Sequence, residues 1–186
     1  MFMATHLVGF GASSGVRTYS DSTLWSGDTA NWTFTGDDIT DADTFDHHIR
    51  TASAISTTGD YDVQCTPSNL ASGQGFGVYD TAEDATFNAT AGAAGAGMAS
   101  MTNSWWVKIQ SAITYDAMLG AAASASGLTI AAGDIIKIAR EGGTTKIYRN
   151  GSVVHTFAGT TSVTTKAVVY NNTGTALTVA DVSWSG

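Results

Sequence analysis

Cysteine, proline, glutamate and long apolar runs are scarce in this 186-residue chain. Its one cysteine, Cys65, excludes an internal disulfide, and we predict that it is a small core residue rather than a nucleophile. No apolar run approaches the roughly 18 residues that a membrane-spanning helix needs, so none is predicted. The opening residues, MFMATHLVGFG, lack a basic segment, which predicts no secretory signal.

Charge is also scarce and mostly of one sign. Charged residues make up 13% of the chain, and its net charge is −8. Residues 1–84 contain twelve acidic residues and only two Arg or Lys residues, Arg17 and Arg50. An acidic surface disfavours nucleic acid and anionic membranes as partners. The acidic first half is interpreted either as a device for solubility or as a surface for a cation or a basic partner.

What the chain does contain predicts an all-β protein. Five Trp, six Tyr and seven Phe can bury a core, and 21 glycines supply many turns. Short strand-like runs alternate with Gly, Asn, Asp and Ser, which is typical of a sandwich or barrel. Two alanine-rich segments, 89–100 and 120–127, are too short to separate domains. We therefore predict one domain over residues 1–186, with residues 1–40 as N-terminal strands or an arm.

The pattern predicts twelve strands and one short helix. The helix is expected at Tyr115–Ala125, around the alanines that follow Met118. The strands are expected at Thr5–Phe10, Asn31–Thr35, Phe45–Arg50, Tyr61–Thr66, Gly75–Asp80, Ala85–Asn88, Ser104–Ser111, Asp134–Arg140, Thr145–Arg149, Ser152–Phe157, Lys166–Asn171 and Thr178–Trp184.

The stretch REGGTTKIYRNGSVVHTF contains the clearest local signal. Asn150 and Gly151 suit a two-residue type I′ turn, in which both residues have positive φ. Glu141-Gly142-Gly143 is predicted to turn the chain one strand earlier. The expected facing pairs are Arg149 with Ser152, Tyr148 with Val153, Ile147 with Val154, Lys146 with His155 and Thr145 with Thr156. Ile147 and Val154 are predicted to face the core, as are Ile136 and Ile138. The same alternation places Glu141, Arg149 and His155 apart from one another, so we do not predict that they form a catalytic trio.

Beginning at Gly133, the order GDIIKIAREGGTTKIYRNGSVVHTF resembles the late three-strand meander of concanavalin A-like lectin and laminin-G-like sandwiches. Three further stretches resemble strands of the same family: SGQGFGVYD (Ser72–Asp80), SWWVKIQ (Ser104–Gln110) and TALTVADVSW (Thr175–Trp184). The resemblance covers roughly residues 45–186. It implies an all-β, antiparallel, two-sheet jelly-roll sandwich of the concanavalin A-like lectin type.

A second resemblance lies near the N-terminus. THLVGFGAS (Thr5–Ser13) is similar to the openings of some tailed-bacteriophage structural proteins. It implies a non-enzymatic structural or adhesive virion protein, either a capsid decoration or a tail or fibre component. Such a protein would be located in the virion, form a homo-oligomer and contact the major capsid protein or tail proteins. The alternatives are a soluble lectin module that binds carbohydrate such as cell-surface glycans, and a glycoside hydrolase.

The carboxylates argue against the hydrolase. Family members that hydrolyse glycans carry Glu-x-Asp-x-x-Glu on one strand, so that an acid and a nucleophile share one sheet face. This chain has no such stretch, and Glu83 and Glu141 are its only glutamates. In the nearest cluster, Asp80 to Asp84, Glu83 could lie across a groove from Asp80, but the cluster is interpreted as a solvated loop. We therefore predict that the protein is not an enzyme.

One acidic segment is a candidate metal site. GDDITDADTFDHH, Gly36–His48, offers oxygen ligands that suit Ca²⁺. The candidate ligands are Asp37, Asp38, Asp41 and Asp43, and the alternative is a solvated acidic loop. The spacing is not that of an EF-hand, and no other cofactor is predicted.

The aromatic residues are candidates for contact with sugars or with partner proteins, because indole and phenol rings stack on the apolar faces of sugars. Trp105 and Trp106 are adjacent on a predicted strand, so one is expected to face the core and the other to face outward or meet a second subunit. The candidate contact residues are Trp105, Trp106, Trp32 and Tyr79.

Overall fold

The computed structural model describes residues 22–35, 38–41, 47–57, 59–89, 94–158 and 163–186. Two short helices, α1 (Asp84–Ala89) and α2 (Ala94–Ser100), interrupt an otherwise β-rich chain. The strands are β1 Trp25–Gly27, β2 Trp32–Thr35, β3 Asp38–Asp41, β4 His47–Thr51, β5 Tyr61–Ser68, β6 Gln74–Asp80, β7 Ser104–Ser111, β8 Thr114–Leu119, β9 Ala122–Thr129, β10 Ile136–Glu141, β11 Thr144–Arg149, β12 Ser152–Thr156, β13 Thr165–Asn171 and β14 Leu177–Ser185.

These strands form two antiparallel sheets of seven strands each. Sheet A has the order β1-β4-β13-β6-β7-β8-β9, and sheet B has the order β12-β11-β10-β5-β14-β3-β2. Spatial neighbours such as β6 and β13 are far apart in sequence, which is the long-range pairing expected of a jelly roll. The predicted antiparallel two-sheet sandwich is therefore confirmed.

The main core lies between the sheets and follows from simple alternation. In β5, YDVQCTPS, every second residue is buried, and β7 sends Trp105, Val107 and Ile109 inward. Cys65 is buried on β5, and burial raises the pKa of its thiol. It is the core residue that the sequence predicted. Ile136 and Ile138 share the inner face of β10 and are buried, as predicted.

The hairpin prediction is confirmed at its turns and corrected in its register. Asn150 and Gly151 have φ of 50° and 80°. Arg149 faces Ser152 and Tyr148 faces Val153, as expected, but a bulge follows between Ile147 and Tyr148. The bulge shifts the remaining pairs to Ile147 with His155 and Lys146 with Thr156. Ile147 is buried, whereas Val154 is 36% exposed on the edge strand and does not belong to the core.

Two predicted elements have the wrong secondary structure. The predicted helix Tyr115–Ala125 is the hairpin of β8 and β9, which turns at Gly120 with φ of 55°. Pairing with β7 outweighs the helix propensity of the alanines. The predicted strand Ala85–Asn88 lies inside α1, which follows the short 3-10 helix Thr81–Glu83.

The other strand predictions that fall on described residues agree with the structure within a few residues. The short strands β1 and β3 and the helix α2 were not predicted. The predicted strand Thr5–Phe10 lies outside the described residues, and the single-domain assignment of residues 1–186 stays a prediction. None of the helices that the structure describes has the length and apolar character needed to span a membrane.

Candidate functional site

The outer face of sheet A carries a second, smaller set of packed side chains. Gly75 and Gly77 lie on the outward side of β6. A Cβ at Gly77 would lie 2.7 Å from the carbonyl oxygen of Trp105 and 2.8 Å from the Cα of Trp106, and one at Gly75 would lie 2.5 Å from Cε1 of Tyr170. These glycines therefore let Trp106 and Tyr170 lie directly against the backbone of β6.

Helices α1 and α2 cover part of this face. Phe87 of α1 stacks on Tyr79 with ring centroids 5.1 Å apart and an interplanar angle of 10°, and it meets the edge of His48 at 4.8 Å. The second cluster is separate from the main core and consists of Tyr79, Phe87, Met98, Met101, Trp106, Met118, Val168 and Tyr170. This cover explains why all seven residues of β6 are buried.

One network fixes α1 to the sheet. Asp84 accepts hydrogen bonds from the hydroxyl of Tyr79 at 2.6 Å and from Nζ of Lys166 at 2.8 Å. Burial opposes ionisation of Asp84, but the hydrogen bonds from Lys166 and Tyr79 and the charges of Lys166 and Arg50 outweigh it, so the pKa of this carboxyl is lowered. These groups hold one another through the hydrogen bonds that fix α1.

A groove remains where the cover ends. It has a volume of about 260 Å³ and is lined by Gly73, Ala99, Trp106, Lys108, Met118, Ala121, Tyr170 and Asn172. Trp106 is fixed at its floor because Nε1 donates a hydrogen bond to the carbonyl oxygen of Gly120 at 3.0 Å. Lys108 and Asn172 contribute the polar side chains. The groove thus combines an apolar floor with an ammonium and an amide group.

Tyr170 adds an unsatisfied polar group beside this groove. Its hydroxyl is buried and has no hydrogen-bond partner among the described residues. Burial raises the pKa of Tyr170 well above its ordinary value. A buried hydroxyl without a partner costs about 1–3 kcal/mol of folding stability.

The four aromatic residues predicted as contact residues are all buried. Trp105 and Trp106 do point to opposite faces of β7, but α1 and α2 of the same chain cover Trp106, which is 1% exposed. Trp32 and Trp105 are buried in the main core, and Tyr79 is buried under Phe87. All four candidate rings are therefore buried, and their role in contacting a sugar or a partner stays a prediction. Of the four candidates, Trp106 alone lines the groove.

The structure separates two of the candidate calcium ligands. Asp38 and Asp41 lie on β3, where Asp38 is exposed and Asp41 points inward and is fully buried, with His47 Nδ1 at 3.3 Å from its Oδ1. Residues on opposite faces of one strand cannot bind one ion together. Asp37 and Asp43 lie outside the described residues. Within the described ranges, no group of three or more His, Cys, Asp or Glu is arranged to hold a metal ion.

The acidic cluster Asp80 to Asp84 is part of the scaffold. The side chain of Asp80 accepts from the backbone N–H of Ala82 at 2.9 Å and caps the short 3-10 helix Thr81–Glu83. Glu83 accepts from the backbone N–H groups of Thr102 and Asn103 at 2.8 and 2.9 Å. The cluster ties the start of α1 to the loop before β7, and it is not the solvated loop that the sequence suggested.

Replacing Glu83 by alanine should lower the free energy of unfolding by about 1–2 kcal/mol, because two backbone N–H groups lose their acceptor. Hydrogen exchange of the Thr102 and Asn103 amides should accelerate more than that of amides in sheet B. Glu83→Gln serves as the graded control, since its side chain keeps one acceptor oxygen and should cost about half as much. Unchanged exchange at both amides in the alanine variant would contradict the assignment.

Sequence reasoning missed Lys108, Met118, Tyr170 and Asn172 as groove residues. The signal that could have located them is the Gly75-x-Gly77 spacing inside a predicted strand, since glycine in a strand interior marks the close approach of another group. That spacing identifies the face, but the partners come from β7, β8 and β13, and only the sheet order places these strands beside β6.

Comparison with known proteins gives the fold. No family model matches this chain, and no curated protein matches it. Among solved structures, the Crh5 transglycosylase in complex with NAG is similar with a TM-score of 0.62 at 8% identity, covering 93% of this chain and 83% of that one. The potassium-bound carbohydrate recognition domain of Emp46p gives a TM-score of 0.57 at 5% identity, covering 92% and 93%. A prokaryotic β-1,3-1,4-glucanase (lichenase) derived from a mouse hindgut metagenome gives a TM-score of 0.56 at 13% identity, covering 90% of this chain and 95% of that one.

At sequence identities of 5–13%, these similarities establish a shared fold but not a shared function. The chain has the two-sheet jelly roll of the concanavalin A-like lectin and glucanase type, so the fold that the hairpin resemblance implied is confirmed.

Proposed function

We propose that this concanavalin A-like sandwich is a carbohydrate-binding module without catalytic activity and that its ligand binds in the groove beside Trp106. The groove carries the proposal, because Trp106 and Met118 form an apolar floor while Lys108 and Asn172 supply polar groups. Sugars present apolar ring faces together with hydroxyl groups, and a mixed lining of this kind suits both. Two solved neighbours named for carbohydrate recognition or processing, the Emp46p domain and the lichenase, give fold-level support only.

The size of the groove limits the ligand. Its volume of about 260 Å³ is just below the roughly 300–1,000 Å³ of typical small-molecule pockets. Ala99 of α2 forms part of its wall. We therefore expect one sugar residue to enter, such as a chain end or a branch, rather than a long stretch of polysaccharide lying across the sheet.

The lining of the groove also supports the absence of catalysis. Retaining glycosidases place two carboxyl groups about 5–5.5 Å apart around the scissile bond. The residues that line this groove include no aspartate and no glutamate. The neighbouring carboxylate, Asp116, already accepts hydrogen bonds from Gln110 and from the backbone of Gly127 at 2.6 and 3.0 Å. We expect the protein to bind a glycan and release it unchanged.

A bulky side chain at Ala121 should abolish glycan binding. Ala121 is exposed and lines the groove, so Ala121→Trp fills the space without entering the core. Ala132→Trp is the matched control, because Ala132 is an exposed alanine in the turn between β9 and β10 and does not line the groove. Ligands found on a glycan array should bind wild type and the control with equal affinity in calorimetry. Equal binding by Ala121→Trp would place the ligand elsewhere, and no ligand on a broad array would overturn the proposed function.

The finer proposal from the sequence is that the module belongs to a bacteriophage virion, as a capsid decoration or a tail or fibre component that forms a homo-oligomer. The exposed edge strand β12 favours association, because Val153 is 50% and Val154 36% exposed there. Ile135, 42% exposed, adjoins the same hairpin through a hydrogen bond from its N–H to the side chain of Asn150. Sedimentation of the purified chain and its copy number in purified virions test this proposal. A monomer that is absent from virions would exclude it.

A further inference from the structure

Lys108 differs from the other lysines of the chain. The sequence has four lysines, and three of them form ion pairs: Lys137 and Lys146 with Glu141 at 3.7 and 3.2 Å, and Lys166 with Asp84 at 2.8 Å. Lys108 lines the groove, and the part of the chain that the structure describes places no carboxylate oxygen within ion-pair distance of it. In a protein with twice as many acidic as basic residues, such an ammonium group is unusual.

The nearest acidic residue is engaged elsewhere. Asp116 faces Lys108 directly across β7 and β8, so a pair between them would be easy to form. Both oxygens of Asp116 instead accept hydrogen bonds: Oδ2 from Gln110 at 2.6 Å and Oδ1 from the N–H of Gly127 at 3.0 Å. These bonds link β7, β8 and β9 and hold the carboxylate in place. The ammonium of Lys108 is therefore available to a ligand.

A second donor lines the same groove. The backbone N–H of Asn172 donates to the carbonyl oxygen of Gly73 at 3.0 Å, which fixes the residue at the rim. Its side-chain amide has no hydrogen-bond partner among the described residues. A carboxylate has two oxygens that can accept from an ammonium and an amide at once, and hydrogen bonds to charged groups are stronger than those between neutral groups.

We propose that the groove selects sugars that carry a carboxylate, that is, uronic acids, with the carboxylate bound by Lys108 and Asn172 and the sugar ring packed against Met118 and the edge of Trp106. This inference rests on the proposed carbohydrate-binding function and adds the class of sugar. The small volume favours one acidic residue at the end or branch point of a glycan. Sulfated sugars share the negative charge and are distinguished by the experiment.

The test is calorimetry with methyl glycosides of glucuronic, galacturonic and mannuronic acid, the three matching neutral hexoses, and methyl glucoside 6-sulfate. Wild type should bind at least one uronide about tenfold more tightly than its neutral counterpart, and this ratio should fall towards one in Lys108→Met, which keeps the length of the side chain without the charge. Lys137→Met, on the other sheet, should keep the wild-type ratio. Raising the salt concentration should reduce the ratio in wild type.

The outcomes separate the two proposals. Equal affinity for uronides and neutral hexoses, or the same preference in wild type and Lys108→Met, would overturn the selection for acidic sugars and leave the binding module intact. Tighter binding of the sulfated sugar than of any uronide would reassign the groove to sulfate. If none of the seven compounds binds and Ala121→Trp has no effect on any glycan, the proposed function itself is wrong. Circular dichroism of each variant shows whether it is folded.

Discussion

Alanine at position 77 should lower the free energy of unfolding by about 3 kcal/mol, at the upper end of what overpacking costs. The added Cβ would lie 2.7 Å from the carbonyl oxygen of Trp105 and 2.8 Å from the Cα of Trp106, and it would also meet the Cβ of Trp106. Two of these three atoms belong to the backbone of β7, so no change of rotamer relieves the clash. Relief requires β6 and β7 to separate, and these strands are paired over five residues, from Gly75 to Tyr79.

Urea-induced unfolding followed by tryptophan fluorescence measures this effect. Gly174→Ala is the matched control, because a Cβ there meets no atom within 4 Å. That variant should stay within about 0.5 kcal/mol of wild type, as surface substitutions usually do. If the free energy of unfolding of Gly77→Ala falls by less than about 1 kcal/mol, β6 and β7 separate more easily than their close packing implies, and the prediction is wrong.

Replacing Asp134 by asparagine should cost about 2–3 kcal/mol at neutral pH. Asp134 is buried just before β10, and its carboxylate accepts three hydrogen bonds. They come from Arg149 Nε, Asn150 Nδ2 and the N–H of Ala131, each at 2.7 Å. An asparagine offers only one acceptor oxygen, so an N–H donor would face its amide. The estimate is below that of a fully buried ion pair because the side chain of Arg149 is 29% exposed.

This substitution should also change the acid sensitivity of the protein. Burial opposes ionisation of Asp134, but hydrogen bonds from Asn150, Arg149 and Ala131 outweigh it and hold the pKa below its ordinary value of 3.8. The ionised carboxylate therefore contributes stability above that value, and the contribution is lost as the pH falls through the lower pKa of the folded state. In urea unfolding between pH 5 and pH 2, the difference between wild type and Asp134→Asn should shrink as the pH falls.

Asp181→Asn is the control for this comparison. Asp181 is exposed and has φ of 50°, a conformation that asparagine tolerates, so its replacement should change stability little at any pH. A difference between wild type and Asp134→Asn that stays constant from pH 5 to pH 2 would contradict the role given to the carboxylate.

Local chemistry made part of this fold predictable. The Asn150-Gly151 turn follows from two adjacent residues that tolerate positive φ, and most strands follow from alternation over a few residues. The bulge at Ile147 could not be predicted from alternation, because it changes the register within one hairpin, and the hairpin of β8 and β9 could not be predicted because it depends on pairing with β7. Alanines in an isolated segment favour helix, and only β7 beside them makes them a strand.

The candidate site was less predictable than the fold. Trp106 was identified because adjacent tryptophans on a strand must face opposite ways. That its outward face would be covered by α1 and α2 could not be seen, because the sequence analysis predicted a strand at Ala85–Asn88 and no helix over 94–100. Lys108 is a candidate ligand-binding residue because no carboxylate of the described residues pairs with it. The sequence alone cannot show which ion pairs fail to form. Only the geometry of Asp116, with both oxygens occupied, makes that visible.

The burial of Cys65 also makes the protein convenient to label. The chain has no other thiol, and this one lies in the core on β5, where burial keeps it protonated and therefore unreactive. A cysteine introduced at an exposed position such as Ala121 would then be the one site that a maleimide dye modifies in the folded state. The native thiol would react only when the sandwich opens, so the same reagent reports on the groove at short times and on unfolding at long times.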